Sequence, residues 1–320
     1  MKRILVYEYL SGGGLMTAGE AASDELLTLG TSMRDAIVAD LLRLEVYAVT
    51  VATCALASPV PAPALPVLPH NGESAFDFVA RHADNQHAVW VVAPETDGLL
   101  ARLQRRVDPA RWLGCDGAAI KLASAKRATL LHLAEAGITT PLAFEHAPET
   151  RRWVVKPDDG AGAIDTRLHA TADAAWDDWA QRSRGGSPVS IEPWVEGEAL
   201  SLSLLCGNGC TELLSVNRQR LSIDANGLLT YLGVDVKVLP LAGARGTQLG
   251  ALANRVGRAM PGLRGFVGID LVWHAQRGPV LIEVNPRVTC AYVGLSQALG
   301  RNLAADIVNA HAQEAAHGDA

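Results

Sequence analysis

Aromatic residues make up only 5% of this 320-residue chain, and its basic residues form no block. With a formal net charge of −6 and no Lys/Arg cluster, the electrostatic footprint of a nucleic-acid binder is missing. No apolar run approaches the roughly 20 residues that a membrane-spanning helix requires, so neither nucleic acid nor membrane is an expected partner. The five cysteines (Cys54, Cys115, Cys206, Cys210 and Cys290) contain no CxxC pair. Cys206 and Cys210 are the nearest two, and no matching His or Cys pair completes a zinc site. They read as reduced thiols of a cytoplasmic protein. The basic-then-apolar start MKRILVYEYL is interrupted by Glu8 and broken by SGGG, which favours a first β-strand over a signal peptide. What is present in quantity is small and aliphatic: 49% of residues are hydrophobic and 30 are glycine. That composition at this length predicts an α/β globular protein of two or three subdomains.

Strand and helix patterns alternate through the first third. Residues 3–9 and VYAVTVA read as buried strands, with a helical stripe (Leu26, Met33, Ile37, Leu41, Leu44) between them. SPVPAPALPVLP carries five prolines, which preclude helix and predict an extended connection. AVWVVAPE is a third strand, and the alternation predicts a small Rossmann-like parallel sheet over residues 1–115. A second unit, 116–190, opens with a helix capped by Ser124 and ended by Gly137, then a strand RRWVVKP entering a glycine loop, then an amphipathic helix around AAWDDWA. A third unit, 191–320, holds strand pairs from VSIEPWVEGEALSLSLLC onward, a helix at QLGALANRVGRAM and a closing helix at NLAADIVNAHAQ. The tail HGDA is expected to fray.

Two apolar runs near the C-terminus end in hard oxygen ligands: GFVGIDLVW carries Asp270, and PVLIEVNPRV carries Glu283, Asn285 and Arg287. The two-residue period of a strand places Glu283, Asn285 and Arg287 on one face. Such groups are costly to bury without a partner, and carboxylates with a carboxamide suit Mg²⁺, which usually takes substrate phosphates as further ligands. Lys156 ends its strand as VVKP, and Lys126 lies near the start of a helix. An ammonium on an apolar strand needs an anion, such as an ATP phosphate or a carboxylate like Asp158. Asp158-Asp159-Gly160-Ala161-Gly162-Ala163 follows, a loop whose N–H groups can approach phosphate oxygens, though it is neither a P-loop nor a GxGxxG fingerprint. In Ile191-Glu192-Pro193-Trp194-Val195, an extended backbone could meet an adenine edge while Trp194 and Val195 form an apolar slot.

In this order the pieces resemble the ATP-grasp superfamily of carboxylate–amine ligases over roughly residues 116–310. The resemblance implies a Rossmann-like domain followed by two α+β subdomains that sandwich ATP. It implies that Lys126 and Lys156 hold the phosphates, that Gly160, Ala161 and Gly162 belong to a glycine lid, and that Glu192, Trp194 and Val195 form the adenine hinge. Asp270, Glu283 and Asn285 match Mg²⁺ ligands, with Glu283 expected to bridge two ions; Mn²⁺ could substitute. The acidic residue that usually grips the ribose falls at Ala199, leaving the adjacent Glu198 to serve through a one-residue shift, or the ribose to be held otherwise. Ligases of the D-alanine–D-alanine type carry an arginine where this chain has Gly268, so Arg287 becomes the candidate, with Lys156, for stabilising the transferred phosphoryl group.

EYLSGGG and the short format look most like the tyramine–L-glutamate ligases of methanofuran-type cofactor synthesis. By that resemblance Glu8 would recognise an amine, and the N–H groups of Ser11, Gly12 and Gly13 a carboxylate. One of Arg218, Arg220 and Arg245 could bind a second carboxylate. The expected partners are a small carboxylic acid and an amine, with room for a homodimer. Three other readings stand beside this one: an amino-acid or dipeptide ligase of the same superfamily, a nucleotide-binding module without turnover, and a dinucleotide oxidoreductase. The last lacks an acidic residue at the end of its second strand.

Overall fold

The computed structural model describes residues 1–17, 23–160, 162–186, 188–207 and 209–318. Its twelve strands among those residues form three sheets. The first is parallel: β1 (Lys2–Glu8), β2 (Tyr47–Ala52), β3 (Leu65–Val67) and β4 (Ala88–Val92) lie in the order β3-β2-β1-β4. Ile4 and Val6 face the helix Asp24–Leu42 through Ile37, Val38 and Leu41, while Leu5 and Tyr7 face Phe78, Val79, Leu100 and Leu103. Burial on both faces explains why these strands read as continuous apolar runs rather than alternating ones. Each such side chain contributes about 1.5–3 kcal/mol when fully buried. Ser23 caps the helix by accepting from Leu26 N–H at 3.3 Å. The proline-rich connection contains β3, a strand that was not expected: its one proline, Pro66, sits at a sheet edge, where a missing N–H breaks no inner ladder.

The second sheet is antiparallel, in the order β6 (Arg167–His169), β5 (Trp153–Pro157), β7 (Val189–Pro193), with the helix Ala172–Arg184 packing Ala175 against Val155 and Ile191. Because β7 pairs with β5, the expected unit boundary at residue 190 cuts through a strand. The helix Lys126–Glu135 starts one residue later than a Ser124 cap would place it, with Ala125 at the cap position. Ser124 instead ends the helix Gly117–Ala123, donating its Oγ–H to Ile120 O at 2.7 Å. Gly137 does close the later helix in the left-handed conformation, φ 75°.

The third sheet runs β10 (Leu229–Asp235), β9 (Cys210–Ile223), β8 (Glu198–Gly207), β11 (Gly265–His274), β12 (Gly278–Asn285). One face presents Leu200, Leu202, Val216, Ile269 and Leu271 to the helix Ala244–Ala259. Strict alternation then turns Ser201, Ser203, Ser215, Asn217 and Asp270 to the other face. Buried polar groups there satisfy one another: Ser215 Oγ–H donates to Asn217 Oδ1 at 2.6 Å, and Asn217 Nδ2 donates to Ser203 Oγ at 3.0 Å. Main-chain bonds tie the third sheet to the loop after the helix Lys126–Glu135 and to the edge of the second sheet. Leu281 N–H donates to Thr139 O at 2.9 Å, and the β9–β10 hairpin bonds to β6 through Leu168 N–H to Gly227 O at 2.7 Å and Leu229 N–H to Thr166 O at 2.9 Å. The expected fraying of the tail falls partly on Asp319 and Ala320, outside the described residues.

Candidate active site

Asp270 on β11 pairs directly with Glu283 on β12, and Asn285 stands opposite Gly268 on the same face. A bulge immediately after Asp270 shifts the register, so Ile282 is the residue that the ladder skips. Asn285 Nδ2 donates to Asp270 Oδ2 at 3.2 Å, and Gln219 Nε2 from β9 donates to Asp270 Oδ1 at 3.0 Å. Burial, then the Glu283 charge, push the Asp270 carboxyl up to about 7, while Asn285, Gln219 and Arg287 pull it back. Two carboxylates and a carboxamide that repel a second negative charge form a donor set of the kind a hard divalent cation neutralises. The residues fit Mg²⁺.

Lys126 is buried at the first turn of its helix, and its Nζ lies 3.1 Å from Glu283 Oε1 while also donating to the Gly160 carbonyl. Burial alone would depress its pKa, but Glu283, Glu95 and Asp158 outweigh it and the net shift is upward. Lys156 is equally buried on β5 and donates to Glu192 Oε1 on β7 at 2.7 Å. Glu192 Oε2 is buried without a partner. Lys126, Lys156, Gly160 and Glu283 line one small cavity together with Ala163, Ile164 and Thr166. The two aspartates of the loop have structural work. Asp158 caps the Lys126 helix, accepting from Arg127 N–H at 3.0 Å, and Asp159 accepts from Asp97 N–H at 2.8 Å. Gly162 holds φ 71°, which a glycine adopts freely. Ala161, expected in the lid, lies outside the described residues.

Arg287 follows β12 and forms a two-pronged pair with Glu95: Nε to Oε1 at 2.9 Å and Nη2 to Oε2 at 3.0 Å. Sequence reasoning missed Glu95. The available signal was its place just beyond β4, at the carboxyl end of a parallel strand, where open α/β sheets bind ligands. Gln219 was missed as well; nothing in QRLSI marks it.

Three expected ligand-binding residues point elsewhere. Arg218 and Arg220 alternate with Asn217 and Gln219, so they occupy the opposite face of the sheet from Asp270. Arg218 donates to Glu198 Oε1 at 2.6 Å, and Arg220 to Asp235 Oδ1 at 2.8 Å. Glu198 shares that far face and is also held by Arg245 at 2.7 Å, which lowers its pKa despite burial. Ala199 is the residue turned to the metal side, since it pairs with Val272 two positions along from the Ser201–Asp270 pair. The one-residue shift that would give Glu198 the ribose therefore does not occur. Trp194 and Val195 do follow β7 directly, with Val195 buried against Phe144 and Val280 and Trp194 Nε1 buried without a partner.

The main chain of the loop after β1 is self-satisfied, while the Ser11 hydroxyl is buried without a partner. Glu8, only 2% exposed, accepts from Leu10 N–H at 3.2 Å and from Ser11 N–H at 2.7 Å. Gly12 N–H donates to Glu8 O and Gly13 N–H to Leu10 O, at 2.8 and 3.1 Å. The N–H groups of Ser11, Gly12 and Gly13, expected to take a substrate carboxylate, are thus already used. Burial raises the Glu8 pKa, opposed by Ser11, Leu10 and the fully buried Arg34. A Cβ on Gly30 would lie 2.5 Å from Glu8 Oε2, so any larger residue there would push this carboxylate aside.

A parallel sheet stands ahead of two antiparallel sheets, with Lys156 on one, Lys126 on the helix before it, and the oxygen ligands on the other. The ATP-grasp domain model matches residues 123–291, and the pre ATP-grasp 3 domain model matches residues 47–120. The chain belongs to the ATP-grasp family. It is 29% identical to the tyramine–L-glutamate ligases of Methanocaldococcus jannaschii, over 67% of this chain, and of Methanocaldococcus fervens, over 64%. The matched part spans 59% and 60% of the length of these two relatives. Among solved structures, an ATP-grasp superfamily protein from Archaeoglobus fulgidus superimposes with a TM-score of 0.71 at 22% identity, covering 97% of this chain and 88% of that one. The L-amino acid ligase of Bacillus licheniformis gives 0.66 at 16% identity, covering 97% and 74%. At those identities the structures speak for the fold. Among the described residues, no helix is long and apolar enough to cross a membrane.

Proposed function

We propose that the chain is an ATP-dependent carboxylate–amine ligase that forms an amide through an acyl phosphate and releases ADP and phosphate. One observation carries the reading: three cation–carboxylate pairs, Lys126–Glu283, Lys156–Glu192 and Arg287–Glu95, each have a buried partner; Lys126, Lys156 and Glu283 line the cavity at Gly160, and Glu95 opens the turn held by Asp159 of the glycine loop. Buried pairs of this kind seldom repay their desolvation as stability devices. They are well suited to exchange partners when a polyanion and its counter-ion enter together.

Lys126 and Lys156 would bind the phosphates, and Trp194 and Val195 would border the adenine. Asp270, Glu283 and Asn285 would hold Mg²⁺. When bound, Mg²⁺ neutralises phosphate charge as a Lewis acid. The acid's carboxylate oxygen attacks the γ-phosphorus, and the bond from that phosphorus to the bridging oxygen of ADP breaks. Lys156 and Arg287 spread the charge that develops on the transferred group. The amine nitrogen then attacks the acyl carbon, the carbon–oxygen bond to phosphate breaks, and the amine's proton is lost to solvent. No side-chain nucleophile is needed; binding supplies orientation and exclusion of water.

The names of the relatives support glutamate as the acid and tyramine or a similar amine as its partner. The decisive experiment is an ADP-release screen with glutamate and a panel of amines that includes tyramine. ADP formation that requires both substrates is the expected result. AMP as product, or phosphate release indifferent to the amine, overturns the reading.

A further inference from the structure

The geometry points to Glu95 as a positioning residue that aims the Arg287 guanidinium at the transferred phosphoryl group. The inference rests on the ligase reading and extends it to the parallel-sheet unit, which otherwise contributes nothing to the phosphate end of the site. Glu95 and Arg287 are 192 positions apart in sequence, yet their side chains are only 4% and 12% exposed where they meet. An isolated pair so deeply buried is weak evidence for stability. Its geometry is better evidence for orientation.

A guanidinium carries five N–H donors in a fixed plane. Glu95 takes one from Nε and one from Nη2, and the Val288 carbonyl takes one from Nη1 at 3.2 Å. Two donors remain, one on each terminal nitrogen, which is the fork that binds paired oxygens of a phosphoryl group. With one edge and one terminal hydrogen fixed, the plane of Arg287 cannot rotate without breaking three bonds. Glu95 is itself fixed, because it opens the Thr96–Gly98 turn whose Asp97 N–H is held by Asp159 of the glycine loop at 2.8 Å. One short turn of the parallel-sheet unit thereby contacts both the arginine and the loop that flank the phosphates.

The test uses E95Q in the full-length protein. Isothermal titration should find Mg·ADP binding within a factor of about 3 of wild type, because Glu95 makes its side-chain hydrogen bonds to Arg287 and reaches Lys126 only through its charge. Inorganic phosphate titrated into the Mg·ADP-saturated protein should bind about tenfold more weakly, as expected for loss of an orienting outer partner. In turnover, kcat should fall by about 10²-fold with KM for ATP nearly unchanged, the pattern of a misplaced group. E95D keeps the charge but shortens its reach; it should fall between wild type and E95Q, and it carries the same measurements if circular dichroism shows E95Q unfolded. Wild-type phosphate affinity and kcat in these variants overturn the proposal while the ligase reading stands. Equal losses of Mg·ADP and phosphate binding also overturn it, since they indicate a general structural role. If wild type itself neither binds phosphate on Mg·ADP nor forms ADP with any acid and amine, the ligase reading falls first.

Discussion

Lys126 Nζ and Glu283 Oε1 stand 3.1 Å apart, joining the first turn of a helix to the last strand of the five-stranded sheet. The pair spans the gap into which the phosphates would enter. If Glu283 takes a metal, it would do so in competition with the lysine at Oε1 or through its second oxygen. Replacement by Gln (E283Q) keeps the shape and a hydrogen-bond acceptor but removes the charge. ADP formation should drop by roughly 10³-fold, the scale of losing a principal electrostatic group. Circular dichroism should stay native. Turnover near wild type would exclude Glu283 from the metal site.

Lys156 and Glu192 make the opposite prediction, on stability. Their side chains are 7% and 4% exposed, and Lys156→Met would leave a carboxylate buried without its partner. Breaking such a pair typically costs about 3–5 kcal/mol. Adding E192Q to the same chain should recover most of that loss in urea denaturation while leaving the protein inactive. If K156M alone denatures like wild type, the pair is not closed in solution.

Asp270 gives a pH dependence with a definite sign. Its carboxyl is raised from 3.8 to about 7, so between those values the folded protein binds a proton that the unfolded chain does not. Stability then falls as pH rises through this window, by at most about 1.4 kcal/mol per pH unit. It is fully present below the lower value and lost above the upper one. Urea titrations from pH 4 to 8 should show this slope, D270N should flatten it, and saturating Mg²⁺ should do the same.

The face assignment of the arginines is directly testable. R220A removes a half-exposed pair with Asp235 on the far side of the sheet, and such pairs contribute about 0–1 kcal/mol. KM for either substrate should change by less than about twofold. A tenfold rise would return Arg220 to the substrate site.

Gly227 bears on the link between the lobes. It holds φ 80°, and a Cβ there would collide with the Leu168 carbonyl. G227A should cost about 1–3 kcal/mol through backbone strain, and amide exchange should accelerate at Leu168 and Leu229. Unchanged exchange at both amides would show that the hairpin is not bound to β6.

What the sequence made legible follows its short-range periodicities. Glu283 and Asn285 could be read together because a two-residue period is local, and Lys156 because a cation ending an apolar strand demands an explanation. The same period, applied to NRQR, would have separated Arg218 and Arg220 from Gln219; what it could not say was which face held the metal. Glu95 was hidden for another reason. Its partner is remote in sequence and on another sheet, and no local pattern records such a pairing. In EYLSGGG the glycines were visible, but Glu8 turning back onto its own loop depends on the helix that Gly30 lets approach. Ser124 did not cap the helix; Asp158, just after β5 and 31 positions beyond Arg127, supplies that hydrogen bond.

Main-chain hydrogen bonds tie the third sheet both to the loop after the helix Lys126–Glu135, through Leu281 and Thr139, and to the edge of the second sheet, through the Gly227 hairpin. Separating the two sheets at the hairpin would break two of these bonds, those of the Leu168 and Leu229 amides. The close approach of Gly227 to the Leu168 carbonyl, which leaves no room for a Cβ, makes a single backbone position a condition for closing the third sheet onto β6.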